Sequence, residues 1–254
     1  MSDLQIDLVP CLRDNYAYLI RDEARQLCAV VDPSEPAPVL DALNARGWQL
    51  THILNTHHHY DHTGGNIPLK EKSGAEVVGP GKDRDRIPAI DTGVDEETGW
   101  SFGGRRVRVI EIPAHTKAHI AFVLDGAAFT GDTLFAMGCG RLFEGTPDMM
   151  MTSLSKLASL PDQTRIYCGH EYTLNNGRFA LTLEPGNERL KARMLEVEGA
   201  RARGVPTIPS TIALEKQTNP FLRTRSPEIR KTLGLEDASD LAVFAETRRR
   251  KDSF

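Results

Sequence analysis

Cysteine is scarce in this chain of 254 residues: only Cys11, Cys28, Cys139 and Cys168 occur, with no CxxC pair among them. That scatter excludes a zinc ribbon or a disulfide framework and predicts buried thiols. A strong excess of either charge is lacking as well. Lys plus Arg number 31 against 35 Asp plus Glu, a net charge of −4, so the basic excess of a nucleic-acid or anionic-membrane binder is lacking. No run approaches the roughly 20 apolar residues of a membrane span. Met1-Ser2-Asp3-Leu4 lacks a basic segment followed by an apolar one, and a soluble, cytoplasmic protein is expected; the chain is separately expected to be a monomer. The length suits one large domain or one with a smaller appendage.

What is present is histidine in one place. Thr56-His57-His58-His59-Tyr60-Asp61-His62 packs four histidines and an aspartate into seven residues, after the apolar pair Ile53-Leu54 and before Gly64-Gly65. Chance would produce H-x-H-x-D-H in such a chain with a probability on the order of a few in ten thousand. Side chains two apart in an extended segment point the same way, so His57 and His59 can grip one ion while Asp61 and His62 swing towards a second. His58 then points away and receives no ligand role.

The other metal-ligand candidates each follow a candidate strand. His115 comes after Val109-Ile110-Glu111-Ile112, Asp132 after Ala127-Ala128-Phe129-Thr130, and His170 after Ile166-Tyr167-Cys168. Loops at strand ends on a rigid scaffold are where functional groups concentrate. Together these residues are too many for one tetrahedral zinc and suit two ions about 3.5–4 Å apart. Nitrogen and carboxylate donors without thiolate suit Zn, Fe or Mn. His52, inside a candidate strand, is left out, and His119 is at most an outer partner.

Short Val/Ile-rich strands dominate residues 1–172: Leu4 to Pro10, Ala17 to Arg21, Gln26 to Asp32, His52 to Thr56, Arg106 to Ile112, Ile120 to Leu124 and Arg165 to Cys168. Ser34 is expected to cap a helix reaching Arg46 before Gly47. Thr146-Pro147 should open another, with Met149 to Met151, Leu154 and Leu157 supplying core. Residues 173–254 read as a helical domain with helices over Asn187 to Gly204, Pro227 to Gly234 and Ala238 to Lys251. Gly204 to Pro220, broken by three prolines, reads as an extended connector. In the last helix Leu241, Phe244 and Ala245 form an apolar face that runs on into Arg248 and Lys251.

The histidine run with Gly64-Gly65-Asn66 resembles the metallo-β-lactamase superfamily. Asp14-Asn15-Tyr16, the segments Phe129 to Phe135 and Gly138 to Gly145, and Cys168-Gly169-His170-Glu171-Tyr172-Thr173 narrow the resemblance to the glyoxalase II (hydroxyacylglutathione hydrolase) family. Glu184-Pro185-Gly186-Asn187, Thr218-Asn219-Pro220-Phe221 and Arg248 to Asp252 extend it across the helical half. The resemblance implies an α+β fold, an αββα sandwich followed by a small helical domain. It implies that His57, His59 and His115 hold one metal, Asp61, His62 and His170 the other, and that Asp132 bridges. Two divalent ions, zinc foremost with iron or manganese as alternatives, would carry a hydroxide oriented by Asp61. The implied reaction is hydrolysis of S-(2-hydroxyacyl)glutathione, typically S-D-lactoylglutathione, in methylglyoxal detoxification. Arg141, Phe143, Tyr172, Arg248 and Lys251 would bind glutathione.

The chain departs from the family pattern in four places. Pro113-Ala114-His115-Thr116-Lys117-Ala118-His119 has alanines where the family has glycines, which would cost roughly 1 kcal/mol or more at a positive φ and could shift His115 slightly. Arg141 replaces a lysine and Phe143 a tyrosine. Competing readings are a mononuclear-iron persulfide dioxygenase and a nuclease of the same superfamily. The first leaves the second ligand set unexplained and the second conflicts with the net charge. A purely structural metal site would be closed and usually cysteine-rich.

Overall fold

The computed structural model describes residues 4–254, so the expectation drawn from residues 1–3 lies outside the described residues. The chain forms two compact units: the chain up to Glu111 together with Ala118–Gly131, and Ile112–Lys117 together with Asp132–Phe254. The candidate His115 segment therefore belongs to the second unit.

In the first unit, β1 (Gln5–Cys11), β2 (Asn15–Asp22) and β3 (Leu27–Val31) pair antiparallel. The sheet continues in parallel through β4 (His52–Leu54), β5 (Glu76–Pro80) and β6 (Thr92–Val94). Parallel pairing needs crossovers, and these carry the helices α1 (Pro36–Arg46), α2 (Tyr60–Thr63) and α3 (Asn66–Ser73). Leu19, Val30, Ile53 and Val77 from the sheet form one core with Val39 and Leu43 of α1 and Leu69 of α3. Burying each such side chain contributes about 1.5–3 kcal/mol. Four further strands, β7 (Trp100–Phe102), β8 (Arg105–Glu111), β9 (Ile120–Leu124) and β10 (Ala127–Gly131), make an antiparallel meander.

Ser34 does not cap α1. Glu35 occupies that position in an extended conformation and makes no side-chain cap bond. Pro36 explains this: it fixes the first helical φ, lacks the N–H a cap would satisfy, and pushes the residue before it out of the helical region.

The second unit begins its strands with the hairpin β11 (Leu134–Phe135) and β12 (Gly138–Cys139), and pairs β13 (Arg165–Cys168) with β14 (Ser210–Thr211). Its helices are α4 (Pro147–Ala158), α5 (Thr173–Leu183), α6 (Glu188–Ala202), α7 (Ile212–Thr218), α8 (Pro227–Leu233) and α9 (Asp240–Asp252). The Thr146 hydroxyl caps α4 by accepting from Met149 N, and Met150, Leu154 and Leu157 are buried, but Met149 and Met151 are only half-buried. The Gly204–Pro220 connector is not simply extended: it contains β14 and α7. Thr211 is the signal there, since its hydroxyl accepts from Leu214 N and starts a helix despite the flanking prolines.

All four cysteines are buried. Among the described residues no helix is long and apolar enough to cross a membrane.

Candidate metal centre

In the first unit β4 ends at Leu54 and the chain turns into the single turn of α2. The loop therefore presents His57 and His59, and the helix presents Asp61 and His62. The ring centroids of His57 lie 4.7 Å from His59 and 4.2 Å from His62. His57 Nε2 and His59 Nδ1 stand 3.1 Å apart. Two nitrogens each about 2.0–2.1 Å from one tetrahedral zinc would be about 3.4 Å apart, so this pair already has ligand spacing. His62 Nε2 lies 3.6 Å from Asp61 Oδ2.

One residue orients this cluster that the motif did not reveal. Asp32, buried at the end of β3 with φ 49°, accepts from Thr56 N at 2.8 Å, from Thr56 Oγ1 at 2.7 Å and from His62 Nδ1 at 3.0 Å. The Thr56 hydroxyl in turn accepts from His57 Nδ1 at 3.0 Å. Asp32, His57 and His62 offer donor atoms within 4.8 Å of one another. Both Asp32 oxygens are already engaged, however, and the carboxylate fixes the histidine tautomers so that Nε2 carries the lone pair a metal would take. Its signal was the pattern that marked Asp132, a carboxylate directly after an apolar strand.

The rest of the run is held just as firmly. Asn15 Nδ2, at the start of β2, donates to Asp61 O at 3.0 Å and to Asp61 Oδ2 at 3.1 Å. His58 turns to the buried Asp83, its Nδ1 lying 2.8 Å from Oδ2, and Arg86 braces the same carboxylate. His119 stacks on His57, centroids 4.5 Å apart at 16°. Gly131, at φ 46°, has no room for a side chain: a Cβ would stand 2.3 Å from Thr56 Oγ1 and 2.7 Å from His119 Cε1.

In the second unit one carboxylate oxygen faces two imidazoles. Asp132 Oδ2 lies 3.5 Å from His115 Nε2 and 3.2 Å from His170 Nε2, and all three residues are buried. His115 Nδ1 donates to the Arg141 carbonyl at 2.9 Å, which fixes its tautomer as Asp32 does for His62. Ala114 does adopt a glycine-type backbone, φ 152°, whereas Ala118 does not. Gly145 makes this possible, since a Cβ there would stand 2.5 Å from Ala114 Cα. The imidazole and carboxylate donors of the two units suit divalent metal ions.

The five residues expected to bind glutathione differ in placement. Arg141 and Phe143 are largely exposed, and Phe143 packs its ring 5.2 Å from His115. Tyr172 stacks on His170 at 4.7 Å and 3°. Arg248 is buried: its Nη1 donates to Cys139 O at 2.8 Å, its Nη2 pairs with Asp252 Oδ1 at 2.8 Å, and its guanidinium lies over Phe221. Lys251 donates to Asn175 Oδ1 at 2.9 Å beside the Phe179 and Phe254 rings. Burial, followed by the Arg248 and Arg141 cations, lowers its ammonium pKa to about 8. The inner face of α9 is Val243, Phe244, Thr247 and Arg248, while Leu241 and Ala245 are half-buried. The helix is thus rotated from the orientation its apolar pattern suggested, because Arg248 finds acceptors inside.

Residues 12–170 match the model of the metallo-beta-lactamase superfamily, and residues 171–254 match that of the hydroxyacylglutathione hydrolase C-terminus. The hydroxyacylglutathione hydrolase of Rhizobium meliloti (strain 1021) is 52% identical over 256 residues, covering 100% of both chains. That of Methylococcus capsulatus is 51% identical over 253 residues, with 99% of each covered. Among solved structures, ETHE1 from Myxococcus xanthus aligns over 100% of both chains with a TM-score of 0.67 and 25% identity. A metallo-beta-lactamase from Staphylococcus aureus shares the fold, with a TM-score of 0.66 and 21% identity over 97% of this chain and 71% of its own. With half of its residues shared along the full length of these enzymes, and with both halves matched by their family models, the chain belongs to the hydroxyacylglutathione hydrolase family of the metallo-β-lactamase superfamily.

Proposed function

We propose that this chain hydrolyses S-(2-hydroxyacyl)glutathione thioesters, typically S-D-lactoylglutathione, to glutathione and a 2-hydroxy acid in the detoxification of methylglyoxal. On this reading His57, His59 and His115 would hold one divalent ion and Asp61, His62 and His170 the other, with Asp132 serving both. The observation that carries the ligand assignment furthest is the single Asp132 oxygen facing the Nε2 atoms of both His115 and His170. We assign zinc, with iron or manganese accepted by the same donors.

Bound divalent ions supply Lewis acidity and lower the pKa of water from about 15.7 towards ~7. Asp61, steadied by Asn15 and partly exposed, orients the attacking water and takes up its proton. Asp32 and the Arg141 carbonyl keep the histidine Nε2 atoms facing inward, so little reorganisation accompanies the reaction. Phe143 and Tyr172, packed on His115 and His170, offer apolar walls to the acyl and peptide parts of the substrate. Arg141 and Lys251 supply positive charge for the carboxylates of glutathione. The leaving thiolate, with a parent pKa near ~8.5, needs no strong general acid.

The same reading places the change from metal-binding to helical, glutathione-binding domain at residues 172/173, beside the junction of the two family models. It makes the protein a cytoplasmic monomer without a nucleic-acid partner, in keeping with the net charge of −4. A persulfide dioxygenase is not favoured, since the curated relatives at about half identity are hydroxyacylglutathione hydrolases. The test is thiol release from S-D-lactoylglutathione by metal-loaded protein, with metal content measured on the same sample. Turnover with two ions per chain is expected. A fully loaded protein that releases no thiol would sink the proposal.

A further inference from the structure

The helices of the second unit hold the β11–β12 hairpin by the Met137 side chain, which is buried with Ala180, Leu190, Met194 and Val197, and by a set of hydrogen bonds to its backbone. Asn219 Nδ2 donates to Phe135 O at 3.2 Å and Gly138 O at 2.9 Å, Asn176 Nδ2 to Ala136 O at 3.1 Å, and Arg248 Nη1 to Cys139 O at 2.8 Å. At the hairpin tip Met137 has φ 55°, a left-handed conformation that a residue with a side chain adopts at a cost. Its N–H donates to Glu215 Oε2 at 2.8 Å.

Glu215 is fully buried, and each of its oxygens is fixed. Oε1 accepts from Arg193 Nη2 at 2.7 Å and from the Ser210 hydroxyl, and Oε2 also accepts from Asn219 Nδ2 at 3.0 Å. One carboxylate therefore sets both the strained turn and the amide that grips the neighbouring carbonyls. Buried charges are costly unless so paired, and removing one partner costs more than the pair contributes.

The base of the hairpin adjoins the metal donors. Asp132 lies two residues before β11, and Gly140 N donates to Thr133 O at 3.2 Å to close the base. The next residue, Arg141, supplies the carbonyl that orients His115. A displaced hairpin would shift the Asp132 carboxylate and the His115 tautomer lock together.

We propose that Glu215 is a positioning residue for the reaction: through Met137 and Asn219 it fixes the hairpin whose two ends place Asp132 and orient His115. This rests on reading Asp132 and His115 as metal ligands. It extends the role of the helical region from substrate binding to the geometry of the metal donors.

The test uses the full chain with Glu215→Ala, Glu215→Gln and, as reference, Asp132→Ala. Circular dichroism reports folding, equilibrium dialysis reports metal affinity, and the visible spectrum of the cobalt-loaded protein reports ligand geometry. Glu215→Ala is expected to keep the wild-type circular dichroism, bind metal about ten- to a hundredfold more weakly and show an altered cobalt spectrum. It should lower kcat about tenfold with KM within about threefold, and Glu215→Gln, which retains an acceptor for Met137 N–H, should recover most of that loss. If Glu215→Ala does not fold, Asn219→Ala, which leaves the Arg193–Glu215 pair in place, is expected to show the same metal and kcat defects. A folded variant with wild-type affinity, spectrum and kcat overturns the inference, provided Asp132→Ala loses metal. If Asp132→Ala keeps both ions, the ligand reading itself falls and the inference with it.

Discussion

The two sets of proposed metal donors are built in opposite ways. In the first unit His57, His59, Asp61 and His62 come from one short run, and a single buried carboxylate, Asp32, reaches His62 directly and His57 through Thr56. In the second unit His115, Asp132 and His170 come from separated segments, and their alignment depends on the Arg141 carbonyl and on a hairpin gripped by helices. A contiguous cluster needs one local hub. A dispersed cluster needs a scaffold, so damage far from the donors should tell on it more.

The sharpest way to break the contrast is to remove a donor of the dispersed set. Asp132→Ala should lose metal and, with it, several kcal/mol of transition-state stabilisation, or about a thousandfold in kcat. Metal analysis beside a thiol-release assay checks this, and retained occupancy of two ions would remove Asp132 from its bridging role. The local hub comes next. Asp32→Asn should weaken metal binding about ten- to a hundredfold while every ligand of the run stays in place, as competition with a chromophoric chelator would reveal.

A smaller effect concerns substrate charge. Lys251, its pKa lowered to about 8 by burial and neighbouring cations, loses its charge as pH rises through that value. KM for the glutathione thioester should therefore climb severalfold between about pH 7 and 9. In Lys251→Met the KM should be high throughout and nearly flat with pH; a wild-type pH profile in that variant would remove Lys251 from substrate binding.

The smallest expected change sharpens the contrast from the side of stability. Ala114→Gly relieves about 1–3 kcal/mol of backbone strain and gives back about 0.4–1 kcal/mol through the more flexible unfolded chain. A net gain of about 1 kcal/mol should raise Tm by roughly 2–4 °C. Calorimetry showing no gain would mean that the second unit already accommodates alanine beside His115 without strain.

Legibility followed the same divide. The histidine run is legible because its donors are neighbours in sequence, and the strand ends before His115, Asp132 and His170 are readable from short apolar segments closed by polar residues. Asp32 follows the apolar strand Leu27–Val31 in the same pattern, but its role exists only once β3 and β4 are paired. The contiguous motif likewise hid the jobs of Asn15 and Asp83, whose partners are distant in sequence. Arg248 reads as a glutathione-binding cation at the end of an apolar helix face; that it turns inward to Cys139 depends on an acceptor 109 residues earlier in the chain. The short helix Ile212–Thr218 was masked by surrounding prolines, and only its capping threonine betrays it.

The buried cysteines have a chemical consequence for an enzyme whose proposed product is itself a thiol. Burial pushes Cys11 and Cys139 up to about 11, and Cys28 and Cys168 up to about 12. At neutral pH the thiolate fraction of each is then on the order of one in ten thousand or less, and the thiolate is the form that exchanges with disulfides. Released glutathione, or its oxidised dimer, would meet only buried thiols held in the protonated form. The chain should withstand S-glutathionylation under oxidising conditions that would cap an exposed, low-pKa cysteine.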